Sequence, residues 1–221
     1  AILLAVFIGI LGLFIGECIT MPLLRLIRTP DDVITQAAIY LRIYLIGYPF
    51  LLLYDFASAV LRARGDSRYP FLVLTFSGLV NVVLNIFFVI ILRTGVAGVA
   101  IATVLSTLLS AILVLKKLWK GDPVFHLSVL PFHINASYAG QILKTGIPSA
   151  IQGAVFCFAN IFVQASVNRF GAVAIAGSTI AMNFEYFSYY IITAFGQTAT
   201  TFVSQNYAAG QMKRCRHILW L

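Results

Sequence analysis

Residues 70–92 read PFLVLTFSGLVNVVLNIFFVIIL, and residues 96–115 read VAGVAIATVLSTLLSAILVL. Only Arg93, Thr94 and Gly95 separate these two apolar stretches. About 20 residues of α-helix cross a hydrocarbon core of about 30 Å, because each residue adds about 1.5 Å. Neither stretch alternates polar and apolar residues as the strands of a membrane barrel do. Both are therefore predicted to be membrane-spanning helices.

The rest of the 221-residue chain has the same character. Hydrophobic residues make up 61% of it and charged residues 10%, whereas soluble domains average about 45–50% and about 25%. We predict an all-α membrane protein, a polytopic helical bundle with six transmembrane helices. The predicted spans are residues 1–24, 39–60, 70–92, 96–115, 147–168 and 176–203. In the second span, Gly47 followed by Pro49 predicts a bend.

Lysine and arginine residues are distributed unevenly among the predicted loops. Ten follow the second, fourth and sixth spans, within residues 61–69, 116–146 and 204–217, whereas the other three loops carry four. Because positively charged loops stay in the cytoplasm, these three segments are predicted to be cytoplasmic. Membrane topology thus explains the net charge of +8 better than a nucleic-acid partner does, since no basic cluster is large enough to follow a phosphate backbone.

The last two predicted spans carry polar residues that are costly in lipid. On the fifth, Gln152, Asn160 and Gln164 lie on or beside one helical face, opposite a stripe of apolar residues that includes Phe158 and Phe162. Amides within a membrane helix are satisfied by partner helices or by water in a cavity. This polar face is therefore predicted to point inward.

Glu185 lies about 14 Å into the sixth span by helical rise, close to the membrane midplane. It shares a face with Tyr189, away from a stripe of phenylalanines. An ionised carboxylate at the centre of a membrane helix costs at least about 2.5–3.5 kcal/mol, so Glu185 is a candidate site for H⁺ or Na⁺. The alternative is a paired or neutral structural residue. Glu17 and Asp55 lie nearer the membrane faces, which favours pairing or interfacial roles for them.

Two sets of residues at helical spacing are interpreted as packing seams, because small residues let helices approach and amides bridge them. They are Ser77, Asn81 and Asn85 in the third span, and Gly98, Ala102, Ser106 and Ser110 in the fourth. Enzymatic motifs are missing from the sequence: the three histidines are scattered, and there is no Cys-x-x-Cys metal spacing or Gly-rich phosphate loop. We expect neither an enzyme nor a bound cofactor.

Two segments carry a family pattern. The first is LRARGDSRYP at residues 61–70, followed by Asn81 and by GVAGVAIAT at residues 95–103. The second is GIP at residues 146–148, then Glu185, then VSQNYAAG at residues 203–210. Their order and spacing resemble the multidrug and toxic compound extrusion (MATE) family, particularly its bacterial DinF-like branch.

The resemblance implies helices three to eight of a twelve-helix, two-bundle transporter, so we expect this chain to be a piece of a longer protein. Residues 1–115 would belong to the N-terminal bundle, residues 116–146 to a cytoplasmic inter-bundle linker, and residues 147–221 to the start of the C-terminal bundle. Pro123 and Pro131 fit a hinge in that linker, although a connection without a role stays open. Residues 135–137 predict the start of a short interfacial helix there.

The resemblance also implies a function. Members export organic, often cationic compounds in exchange for H⁺ or Na⁺, and we expect a monomeric transporter in the bacterial inner membrane, with the lipid bilayer and a small organic substrate as its partners. Glu185 can alternate between protonated and ionised states, while amide oxygens of Asn160, Gln164 or Gln152 can ligate Na⁺ or contact substrate. Tyr189 offers an aromatic face to a cationic compound.

Two alternatives stay open. A lipid-linked oligosaccharide flippase of the same superfamily would need a more cationic cavity for its pyrophosphate, whereas these spans contain one arginine, Arg42, and no lysine. A non-transporting membrane assembly subunit would leave the midplane carboxylate without a purpose.

Overall fold

The computed structural model describes residues 2–26, 29, 31–120, 136–218 and 220. The chain forms two compact units, Ala1–Gln152 and Gly153–Leu221. Every regular element of the described residues is helical, and the predicted all-α membrane fold is confirmed. Residues 121–135 of the predicted linker lie outside the described residues.

The first unit is a bundle of packed helices. The packed helices are α1 (Ile2–Leu26), α2 (Asp31–Ile46), α3 (Tyr48–Ala63), α4 (Arg68–Ile86) with a π-helical turn at Phe87–Ile91, and α5 (Gly95–Trp119). The unit also includes the beginning of α6 (Ala136–Val167), whose side chains are nearly all exposed. Helix α5 packs against α2, α3 and α4, while α1 packs against α2 and α3. Helix α5 is therefore the centre of this bundle.

Two helices that meet at a bend form the second predicted span. Helix α2 ends at Ile46, α3 begins at Tyr48, and their axes differ by 41°. Pro49 lies in the first turn of α3, where its missing amide hydrogen interrupts hydrogen bonding from α2 while its fixed φ suits a helix start. The bend predicted from Gly47 and Pro49 is confirmed.

Five predicted spans coincide with apolar helices of the structure. Helices α1, α5 and α6, and α4 with its π-helical turn, are each long and apolar enough to cross a membrane, and the bent α2–α3 pair makes a fifth span. The sixth predicted span, residues 176–203, lies within one continuous helix, α7 (Ala172–Ala208). Helix α7 is not among the helices that are long and apolar enough to cross a membrane. Amides, hydroxyls and Glu185 interrupt its apolar residues.

Small side chains fill the interior of the first unit. Ala57, Ala100 and Ala102 are completely buried, which lets the helices around α5 approach closely. Lipid is as apolar as leucine, so close packing and hydrogen bonds, rather than hydrophobic burial, hold membrane helices together. Two tyrosines provide such bonds to main-chain oxygens: Tyr54 Oη donates to Pro70 O at 3.1 Å, and Tyr69 Oη donates to Leu113 O at 3.2 Å.

The second unit contains the rest of α6, a 3₁₀ turn at Asn168–Phe170, α7 and the short α8 (Met212–Ile218). Gly171 links the 3₁₀ turn to α7 with a φ of 84°, a conformation that favours glycine. Helix α8 packs against α7, where Cys215 is buried with its Sγ 3.6 Å from Val203 O.

Helix α6 differs from the sequence-based expectation. A short interfacial helix was expected ahead of the span, but α6 runs without a break from Ala136 through Pro148 to Val167. A proline removes one main-chain donor, a loss that membrane helices tolerate where neighbouring groups compensate. The carbonyl that loses its usual donor is Lys144 O, and the next carbonyl, Thr145 O, accepts a bond of 3.2 Å from Ser149 Oγ.

Candidate functional site

A chain of hydrogen bonds runs through the interior of the first unit where α4 faces α5. Asn85 Nδ2 donates to Asn81 Oδ1 at 2.9 Å, and Asn81 Nδ2 donates to Ser106 Oγ at 3.1 Å. Ser106 Oγ in turn donates to Thr103 O at 2.9 Å. We call these four residues the α4–α5 network; it joins two helices within predicted spans.

All donors of the α4–α5 network point the same way, from Asn85 toward Thr103. This direction leaves the acceptor of the first member, Asn85 Oδ1, buried with no hydrogen-bond partner among the described residues. The same holds for the hydroxyl oxygens of Ser58 on α3 and Ser77 on α4. Buried polar atoms are nearly always paired in folded proteins, so each of these oxygens marks a place where water, a cation or a donor from another molecule is expected.

The chemistry of these oxygens is that of a neutral ligand. Amide and hydroxyl oxygens suit hard cations such as Na⁺ and also accept hydrogen bonds from water or substrate. Among the described residues, no group of three or more His, Cys, Asp or Glu side chains is arranged to hold a metal ion. Because its ligand atom is an amide oxygen, a site at Asn85 Oδ1 would suit a hard cation or a hydrogen-bond donor.

Asn81, Asn85 and Ser106 belong to the packing seams predicted from helical spacing. The bridge from Asn81 to Ser106 confirms that interpretation, but the unpartnered oxygen at Asn85 goes beyond what packing requires. A sequence signal was present, since two asparagines one turn apart inside an apolar span are unusual when small residues alone suffice for close approach.

Four aromatic residues cluster in the second unit. The rings of Phe156 on α6 and Tyr189 on α7 are stacked, with centroids 6.4 Å apart and planes 9° apart. Tyr190 lies 6.0 Å from Tyr189 in an edge-on arrangement and 6.5 Å from Tyr186. All four rings are at least half exposed, so this α6–α7 aromatic cluster presents open ring faces of the kind that attract organic cations.

The structure brings only part of the predicted site together. Tyr189 joins α7 to α6 through Phe156, whereas Glu185, one turn earlier on α7, is exposed and has no hydrogen bond or ion pair to another described residue. Asn160 and Gln164 are half-buried on α6, and Gln152 is exposed on the same helix. Nearly all of α7 is exposed, both the phenylalanine stripe and the opposite face, so the inward orientation of Glu185 stays a prediction.

Among the described residues of the predicted spans, an arginine and a glutamate form an ion pair. Arg42 Nε on α2 is 3.6 Å from Glu17 Oε2 on α1. Two opposite charges at this distance neutralise each other, which lowers the cost of holding either group in a membrane helix. The pairing role predicted for Glu17 is confirmed.

A bundle of apolar helices with polar groups inside defines a polytopic membrane protein. The chain belongs to the MatE family, whose model matches residues 1–87 and 148–220. The probable multidrug resistance protein YpnP of Bacillus subtilis is 32% identical over 96% of the chain and 46% of its own length. The FAD transporter of Shewanella oneidensis is 24% identical over 94% of the chain and 47% of its own length.

The fold has a counterpart among solved structures. A crystal structure of a MATE protein in the bent conformation superposes with a TM-score of 0.85 and 21% sequence identity, over 98% of this chain and 49% of that one. At this identity the likeness concerns the fold. The chain spans about half the length of the curated relatives it matches, in agreement with the expectation that it corresponds to part of a MATE protein.

Proposed function

We propose that the full-length protein is a secondary active antiporter that exports organic, often cationic compounds in exchange for H⁺ or Na⁺. The observation that carries the proposal is the α4–α5 network, whose unpartnered Asn85 Oδ1 is buried inside an apolar bundle. An ion or substrate that completes the network would stabilise one conformation of the bundle. Such differential binding is what coupled transport needs.

Glu185 supplies the second element of the proposal. A carboxylate near the membrane midplane can exchange a proton or Na⁺ for a cationic substrate, and the α6–α7 aromatic cluster lies on the same helix. Asn160, Gln164 and Gln152 would add amide oxygens from α6. In this mechanism, ion occupancy and substrate occupancy alternate.

The ion pair between Arg42 and Glu17 bears on the class of substrate. One relative is named an FAD transporter, and FAD, like a lipid-linked oligosaccharide, carries a pyrophosphate. Arg42 is the one basic residue inside the predicted spans, and its charge is already countered by Glu17. This arrangement favours neutral or cationic substrates over polyanions.

The proposal also covers the membrane location, the topology and the domain organisation of the transporter. We place it in the bacterial inner membrane, with residues 61–69, 116–146 and 204–217 on the cytoplasmic side. Residues 1–115 would form part of one bundle and residues 147–221 the start of the other, with residues 116–146 as their linker. A single copy would transport, without enzymatic activity or a cofactor.

The test is efflux of a cationic dye from vesicles that contain the full-length protein under an imposed pH or Na⁺ gradient. Asn85→Leu keeps a similar volume but removes the unpartnered oxygen, so gradient-driven efflux should fall at least about tenfold while protein level and elution profile are retained. Val83→Leu, on the exposed side of α4, is the matched control and should transport like wild type. Wild-type efflux by Asn85→Leu would contradict the role of the network, and gradient-independent dye movement by the wild type would contradict antiport.

A further inference from the structure

Basic side chains are concentrated at one end of the first unit. Arg68 begins α4, and Lys116, Lys117 and Lys120 lie at the end of α5; all four are exposed. Within residues 60–70 and 113–120, Asp66 is the one acidic residue. We call the four cations the basic end of the unit.

Contacts between α4 and α5 hold these cations at the same level. Tyr69 Oη donates to Leu113 O at 3.2 Å, and Lys117 Nζ lies 5.2 Å from the centre of the Tyr69 ring. Leu118, which follows Lys117 in the sequence, is buried in the same core cluster as Leu61. The start of α4 and the end of α5 are thus fixed beside each other.

Asp66 can cancel only one of these four positive charges, and its carboxylate already accepts a main-chain hydrogen bond. Its Oδ1 accepts a hydrogen bond of 3.0 Å from the main-chain N–H of Tyr69. An acidic residue in this position interacts favourably with the positive end of the helix dipole. The four exposed cations therefore remain available to an anion.

The surroundings of the basic end are those of a membrane interface. Trp119 is 58% exposed among the lysines, and exposed tryptophans are typical of the headgroup level. Beyond Arg68, the surface of α4 is apolar and open, with Phe71 66% and Leu74 55% exposed. Cations thus stand directly above a surface that suits acyl chains.

We propose that the basic end binds the phosphodiester headgroup of an anionic phospholipid, with the acyl chains along Phe71 and Leu74. Clusters of four or more basic residues beside a transmembrane helix attract anionic headgroups. A free phosphate would use the same cations but none of the apolar surface. The lipid would tie the beginning of α4 to the end of α5 at the cytoplasmic face that we propose for this loop.

The test is lipid retention by the full-length protein in detergent, with dioleoylphosphatidylglycerol and dioleoylphosphatidylcholine offered in equal amounts and bound lipid counted by native mass spectrometry. Each basic residue near a membrane surface changes binding about fivefold, so Arg68→Gln/Lys117→Gln, which removes two of the four cations, should lower phosphatidylglycerol retention about 25-fold. The wild-type preference for phosphatidylglycerol over phosphatidylcholine should exceed this factor. Lys116→Gln/Lys120→Gln changes exposed positions and should lower phosphatidylglycerol retention by a similar factor. This second variant keeps the proposal testable if the first variant misfolds.

The matched control is Lys213→Gln/Arg214→Gln, which removes the same charge from exposed positions on α8 and should change retention less than twofold. Unchanged phosphatidylglycerol retention in both basic-end variants would overturn the proposal, as would an equal loss in the control. In a separate experiment, inorganic phosphate at about 10 mM is added to the wild-type protein with bound phosphatidylglycerol. If it displaced all bound phosphatidylglycerol, a soluble phosphate site would replace the lipid site.

Discussion

Gly9 on α1 lies so close to Pro49 on α3 that a Cβ atom on Gly9 would sit 2.7 Å from Pro49 Cα. Two further glycines of α1 make similar approaches: a Cβ on Gly12 would meet the ring of Tyr48, and one on Gly16 would lie 2.6 Å from Leu45 Cδ2. The α2–α3 bend therefore packs against a stretch of α1 where three glycines allow close contact. Close approach of this kind is a main source of stability between membrane helices.

Gly9→Ala should destabilise the chain. The added methyl group meets the main chain of Pro49, which cannot rotate away as a flexible side chain can. Overpacking of this kind costs about 1–3 kcal/mol, more than the gain of about 1 kcal/mol from replacing glycine by alanine in a helix. Thermal unfolding of the detergent-purified chain should show a lower midpoint.

Gly78→Ala on α4 is the matched control, because a Cβ there would meet nothing within 4 Å. Its unfolding midpoint should equal or exceed that of the wild type, since only the helix-propensity gain remains. Equal midpoints for the two alanine variants would show that α1 is not held by the close contact at Gly9.

Glu185→Gln should abolish ion-driven efflux by the full-length protein while leaving folding intact. Glutamine keeps the size and hydrogen-bonding capacity of glutamate but cannot ionise, so it cannot exchange a cation for substrate. The measurement is dye efflux against an imposed pH or Na⁺ gradient in vesicles with matched protein levels. Glu185→Asp, which keeps an ionisable group, should retain part of the activity; a fully active Glu185→Gln variant would reduce Glu185 to a structural residue.

The predicted topology can be tested with cysteine labelling, and the structure decides which position to use. Cys215 lies in a predicted cytoplasmic segment, but its thiol is buried against Val203 O and would react slowly from either side. Lys213 is exposed on the same helix. In a variant with no native cysteine, Lys213→Cys should resist a membrane-impermeant maleimide in intact cells and react once the membrane is opened.

Arg169 serves to test the other side of the membrane. It is exposed between α6 and α7, in a loop predicted to lie outside the cytoplasm. Arg169→Cys should react in intact cells. Labelling of Lys213→Cys but not Arg169→Cys before the membrane is opened would reverse the orientation.

Much of the fold follows from local properties of the sequence. The apolar stretches at residues 70–92 and 96–115 are helices in the structure because main-chain groups in lipid must bond within their own segment. Gly47 and Pro49 mark the bend because the cause lies within two residues of the effect. The family resemblance was likewise visible in short motifs, and the MatE model confirms it.

What the sequence could not determine is which polar groups meet. Helical periodicity places Asn81 and Asn85 on one face of α4, but it does not say that Ser106 on α5 accepts the bond from Asn81. Nor does it say that Asn85 Oδ1 has no hydrogen-bond partner among the described residues. The stacking of Phe156 with Tyr189 and the burial of Cys215 also required the tertiary structure. The physical reason is that the periodicity of one helix determines which of its faces a residue occupies. Which residue it contacts depends on how closely, and at what angle, a second helix packs against that face.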